Sequence, residues 1–243
     1  MLQRYKVWDA PTRLFHWVNF ISVVLLALVG MLMLYKKELG IVSLDAKVAI
    51  KELHVVIGYV FVLNLLFRLV WGFIGNRFAR WSAIVPGRGF REAMSAYLSS
   101  IKRGERQQFL GHNPMGRLAV VVLMLLLMTQ AATGLIRAGT DVYYPPFGSM
   151  FAAQVAAEGV DPATLKPYDK TGVDAEKLKA LLDFKHIYGE IHYYLFFVLL
   201  VMIVLHVVVV IRLDSREGSG LISAMFSGNK TLSRKPADLD TRQ

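Results

Sequence analysis

Apolar residues in this chain fall in long blocks, not in alternating or every-third-residue stripes, so its hydrophobic surface is arranged for lipid rather than for a soluble core. Four stretches, residues 14–35, 53–74, 118–136 and 184–211, each reach the roughly 20 apolar residues that a membrane-crossing helix needs. The last is long enough to tilt or to project beyond the bilayer. The pattern predicts an all-α integral membrane protein, a bundle of four transmembrane helices formed by residues 1–227, followed by a polar cytoplasmic tail over 228–243 that is expected to be mobile. Two shorter segments add detail. VYYPPFGSMFAAQV combines a proline turn with an apolar stretch suited to lying along the membrane surface, and DAEKLKALLDF has helical spacing and leads into the fourth span. Pro114 suits the first turn of the third span.

Charge then sets the orientation. The loop between the second and third spans carries Arg77, Arg80, Arg88, Arg91, Lys102, Arg103 and Arg106 against only Glu92 and Glu105, which places it in the cytoplasm. With an even number of spans both termini share that side, and their own Arg4, Lys6, Arg13, Arg212, Arg216, Lys230, Arg234 and Lys235 agree. The loop over 139–183 mixes both signs and suits the outside. A formal charge of +10 raises nucleic acid as a partner, but the basic residues flank apolar blocks and no nucleic-acid motif accompanies them, so lipid is the expected partner and nucleic acid is not. The chain has no cysteine, which excludes disulfides, thiolate-bound iron–sulfur clusters and covalent c-type haem.

The candidate chemistry lies in the histidines. His16, His54, His192 and His206 fall inside predicted spans, where an unpartnered polar ring is costly and therefore a functional signal. Their depths pair them: His16 and His206 near the cytoplasmic side, His54 and His192 near the outer side. On the fourth span, His192 and His206 differ by only ~40° in direction and stand ~21 Å apart along the axis. His186 points to the opposite side. A macrocycle with its iron held from two helices satisfies this geometry at each level, whereas a single such histidine would more often be interhelical glue. Gly58, one turn from His54, and Gly189, near the His192 face, allow close approach of a flat ring or simply of a neighbouring helix. Arg13, Arg68, Arg77 and Arg80 are candidates to pair with haem propionates, or to snorkel to headgroups.

The stretches VWDAPTRLFHW, FIGNRFAR over 73–80, GHNP over 111–114, and the His192 to His206 spacing followed by Arg212 together resemble the bacterial cytochrome b561 family, closest to the b-type cytochrome subunit of nickel–iron hydrogenases. The resemblance implies two non-covalent b haems, His54 with His192 holding the outer one and His16 with His206 the inner one. It implies an electron-transfer subunit, not an enzyme by itself, passing electrons in the bacterial inner membrane between quinone and a periplasmic partner. That partner is a hydrogenase small subunit or, because the outer loop departs from the hydrogenase pattern, a c-type cytochrome. Similarity to the formate dehydrogenase cytochrome subunit places quinone near the inner haem, with His112 and Asn113 at its border. The competing readings are a haem-free anchor or proton-relay subunit and, further off, a stand-alone quinone-linked superoxide oxidase.

Overall fold

The structure, a computed structural model, describes residues 2–105, 107–218 and 220–239. Arg106, counted above among the inner-loop cations, and tail residues 240–243 lie outside the described residues. Four long helices carry the apolar blocks: α1 (Ala10–Leu34), α2 (Leu44–Ile74), α5 (Pro114–Val142) and α7 (Ala175–Glu217). Each is long and apolar enough to cross a membrane. All four begin before their hydrophobic blocks, and α7 does so because the amphipathic flank Ala175–Asp183 continues the same helix ahead of the apolar run. Shorter helices fill the loops: α3 (Trp81–Ile84), α4 (Phe90–Lys102), α6 (Gly148–Val155) and α8 (Leu221–Ser227).

The chain divides into two compact units, and each long helix contributes to both. The first contains residues 1–19, 64–125 and 199–243. Within this mostly helical architecture, a short ribbon joins the ends: β1 (Gln3–Lys6) pairs antiparallel with β2 (Asn229–Leu232), Gln3 opposite Leu232 and Lys6 opposite Asn229. The tail, expected to be mobile from its polarity, is thus anchored over 229–232. The reason is local packing: Leu232 and Val7 are buried together with Trp8, Leu110 and Ala224. Lys230 is also buried, its ammonium donating to the Phe109 and Gly111 carbonyls at 3.1 Å each.

The motif residues at the ends of α1 and α2 are stitched by hydrogen bonds. Asp9 caps α1 by accepting from the Thr12 amide at 3.0 Å, and its other oxygen accepts from Trp71 Nε1 at 3.1 Å and the Asn76 amide at 3.2 Å. Burial alone would raise the Asp9 carboxyl's affinity for a proton, but these donors hold its pKa below the ordinary value. Asn76 in turn donates to the Val7 carbonyl at 2.7 Å and accepts from the Phe78 and Ala79 amides. As expected, Pro114 opens α5, and Asn113 caps it, accepting from the Gly116 amide at 2.7 Å.

The second unit contains residues 20–63 and 126–198. In it the short apolar helix α6 does not present all its hydrophobic surface to lipid: Phe151 and Val155 are buried against Leu181 of α7, while Met150 stays exposed.

Candidate functional site

The second unit brings His54 of α2 and His192 of α7 together, ring centroids 6.4 Å apart with planes at 75°. A first-row metal sits about 2 Å from an imidazole nitrogen, and that nitrogen lies roughly 1 Å from its ring centre, so two rings on opposite sides of one iron have centres roughly 6 Å apart. The observed spacing meets that requirement. Among the described residues no group of three or more His, Asp or Glu side chains is arranged to hold a metal ion. Two imidazoles alone suit an iron whose other four positions come from a macrocycle.

Glycines seat both rings. A Cβ added to Gly134 would stand 3.3 Å from His192 Cε1, and one added to Gly30 would stand 3.7 Å from His54 Cε1. Neither glycine was singled out from the sequence. Gly58 would meet nothing within 4 Å, in keeping with room beside the His54 face, whereas Gly189 makes room for something else: a Cβ there would stand 3.0 Å from Arg137 Nη1.

The chemistry of the His192 ring is set by two neighbours on α5. Thr133 Oγ1 donates its only proton to the Thr129 carbonyl at 2.9 Å, so at 3.0 Å from His192 Nδ1 it can only accept, and Nδ1 carries the hydrogen. Gln130 Nε2, a donor, faces His192 Nε2 at 3.2 Å, which leaves the lone pair on that nitrogen. Both contacts select one tautomer, the one that puts the lone pair on Nε2, where a metal would take the place of the Gln130 contact. In contrast His54 Nδ1 is buried with no hydrogen-bond partner, as is Gln130 Oε1. Buried polar atoms without partners are costly, so this pocket fits a bound group that supplies what the protein leaves unsatisfied.

Beside this pair lies an ionic cluster that the sequence did not reveal. Asp141, its side chain only 3% exposed, receives Lys51 Nζ at 2.9 Å, Arg137 Nη2 at 3.2 Å and Lys185 Nζ at 2.7 Å. Lys51 also reaches the Tyr168 hydroxyl.

The first unit holds His16 of α1 and His206 of α7, within electrostatic range of each other. His16 stands edge-on to Trp17 at 5.5 Å, and its Nδ1 is buried without a partner. The arginines proposed for propionates have protein partners. Arg68, buried, donates to the Ala79 carbonyl at 2.9 Å and lies over the Trp81 ring, although its Nη1 stays unsatisfied. Arg13 donates to the Phe226 carbonyl, Arg80 donates to the Gly75 carbonyl at 2.9 Å, and Arg77 lies over the Phe78 ring. His112 packs on Trp8 with centroids 5.0 Å apart, and burial, with Lys230 nearby, pushes its pKa down to about 3. Asn113 donates to the Tyr97 hydroxyl at 2.9 Å besides capping α5. His186 is exposed, 3.7 Å from Glu190.

Comparison with known proteins places the chain among relatives. The family model described as prokaryotic cytochrome b561 matches residues 7–228. A probable Ni/Fe-hydrogenase B-type cytochrome subunit of Rhizobium leguminosarum bv. viciae is 26% identical, over 94% of this chain and 89% of its own length. A probable Ni/Fe-hydrogenase 1 B-type cytochrome subunit of Escherichia coli K12 is 31% identical, over 54% of this chain and 58% of its own length. The corresponding subunit of Bradyrhizobium diazoefficiens is 23% identical over 92% of this chain and 85% of its own length. No solved structure gives a significant match. With four membrane-capable helices and a family match spanning nearly all of its length, the chain belongs to the prokaryotic cytochrome b561 family, multi-pass membrane cytochromes of electron transfer that bind b-type haem.

Proposed function

We propose that this protein conducts electrons through two b haems, one ligated by His54 and His192 and the other by His16 and His206, between a periplasmic redox partner and quinone. The observation that carries the reading is the 6.4 Å spacing of the His54 and His192 rings, which is the spacing of two ligands on one iron. When bound, a b haem supplies an iron that alternates between ferric and ferrous states, and the redox chemistry is its own. The chain's part is ligand orientation and dielectric. Thr133 fixes the His192 tautomer, Gly134 and Gly30 let the rings settle, and the surrounding apolar helices exclude water.

We place quinone beside His112, in the unit that holds His16 and His206. Kept neutral at physiological pH, that imidazole bonds a quinone oxygen without bringing a buried charge, while Asn113 keeps the turn before α5 in shape. Arg13 and Arg77, at the ends of α1 and α2, are the candidates for inner-haem propionates. The pairing of β1 with β2 supports termini on one side of the membrane, and the basic inner loop supports that side being the cytoplasm of a bacterial inner membrane. The hydrogenase names of the relatives favour a hydrogenase small subunit as partner; a c-type cytochrome is the competitor, and co-purification separates the two.

Haem quantification tests the ligand assignment. His54→Ala or His192→Ala should lose one haem per chain and His16→Ala or His206→Ala the other, read by pyridine haemochrome assay. Undiminished haem in all four variants would refute it. A second reading, a haem-free anchor, draws on the Thr133 and Gln130 contacts that satisfy both nitrogens of His192. Absence of b-type absorbance in the reduced-minus-oxidised spectrum would favour it.

A further inference from the structure

We infer that Lys51, Arg137 and Lys185, gathered on Asp141, seat the two propionate carboxylates of the haem held by His54 and His192. The inference rests on the reading that those histidines hold a haem. Three cations converge on a single buried carboxylate, a surplus of two positive charges, and none of the three has another acidic partner among the described residues. Partly buried like charges repel unless further anions join them, and they do so at close range, where screening is weak. A b haem carries two propionates on one edge of its ring. The surplus and the need match in sign and in number.

Position agrees with charge. Lys51 lies three residues, about one helical turn, before His54 on α2, and Lys185 lies seven residues, about two turns, before His192 on α7. Arg137 lies one turn beyond Thr133, the residue bonded to His192, and both imidazoles are within electrostatic reach of it. The cations therefore come from the same three helices that build the ring pair and stand one to two turns to the same end of it, where one edge of a macrocycle held by those rings would face. Gly189 has a reason in this arrangement: any side chain there would press on the Arg137 guanidinium, which the absence of a Cβ admits. Tyr168, bonded to Lys51, braces the cluster from the loop before α7. The glycine that sequence spacing offered to the porphyrin instead serves the cation.

The test is a double-mutant cycle between protein and ligand on the full-length protein. Haem-depleted wild type and the variants Lys51→Gln, Arg137→Gln and Lys185→Gln are titrated with protohaem and with its dimethyl ester, whose propionates carry no charge. Occupancy of the His54–His192 site is read by absorbance. Wild type should bind the ester at least tenfold more weakly than protohaem at that site, and the variants should narrow or abolish that difference. Equal binding of ester and acid by wild type overturns the inference, and so do losses that are the same for both ligands in folded variants. Should a variant fail to fold, the wild-type comparison decides alone. His54→Ala separates the two layers of argument. If it keeps both haems, the ligand reading falls and this inference with it; if it loses one haem while ester and acid bind wild type alike, only this inference falls.

Discussion

Replacing Thr133 by valine keeps the volume of the side chain but removes the oxygen that accepts from His192 Nδ1 at 3.0 Å. Two magnitudes bound the effect. A buried N–H left without an acceptor costs about 1–3 kcal/mol. Loss of a hydrogen bond that orients a metal ligand lowers metal affinity about 10–100-fold, which is the same range. The bond also makes the imidazole a stronger electron donor and so favours ferric iron. A net hydrogen bond of about 0.5–1.5 kcal/mol, if it acts mainly on the ferric state, corresponds to a rise in midpoint potential of roughly 20–60 mV when it is removed, at about 59 mV per tenfold for one electron. Spectroelectrochemical titration of the purified protein resolves this. Thr133→Val should raise the potential of one haem, leave the other in place, and lower haem retention, while Thr133→Ser should restore both. An unchanged potential at full haem content would refute the role given to Thr133, and so would a shift confined to the haem that His16→Ala removes.

Three further outcomes are expected. His112 has its pKa pushed from the ordinary 6.5 to about 3 by burial, so the unfolded chain takes up a proton first as pH falls. Stability is therefore complete above about pH 6.5 and declines toward pH 3, by on the order of 2 kcal/mol at about pH 5, visible as a lower melting temperature that His112→Phe should make less pH-dependent. Lys230, lowered to about 8 by burial, is charged at a cost in the folded state below that pH; hydrogen-exchange protection of the β1–β2 pair, corrected for intrinsic rates, should rise between about pH 8 and 10 and stay flat if Lys230 is not buried. Asn113→Ala removes the α5 cap and should cost about 1 kcal/mol in thermal stability, with Asn113→Asp retaining most of it; equal losses in the two variants would argue against capping.

What the sequence disclosed and what it withheld follow from the range of the interactions involved. The four long helices were legible because lipid demands an unbroken run of apolar residues, a signal carried by each segment alone. The approach of His54 to His192 was legible because helical depth follows from residue count. Contacts that depend on rotation about the helix axis were not. Nothing local to Thr133 or Gln130 marks them as neighbours of His192, and Asp141, Lys51 and Lys185 read as unrelated charges in a loop or at the edge of a span until three helices bring them together. The tail misled for a related reason. Its polarity argued for mobility, but Leu232 and Lys230 find partners more than a hundred residues away, at Leu110 and at the Phe109 and Gly111 carbonyls.

The pairing of β1 with β2 also dates itself. The first strand leaves the ribosome before any helix has inserted and the second emerges only after the last, so the ribbon can zip only when every crossing is complete. A nascent chain that skipped one insertion would strand the two segments on opposite faces of the bilayer and leave Leu232 and Val7 without cover. The ribbon thus ties residues 3–6 to residues 229–232, so that its formation reports that both stretches have come together.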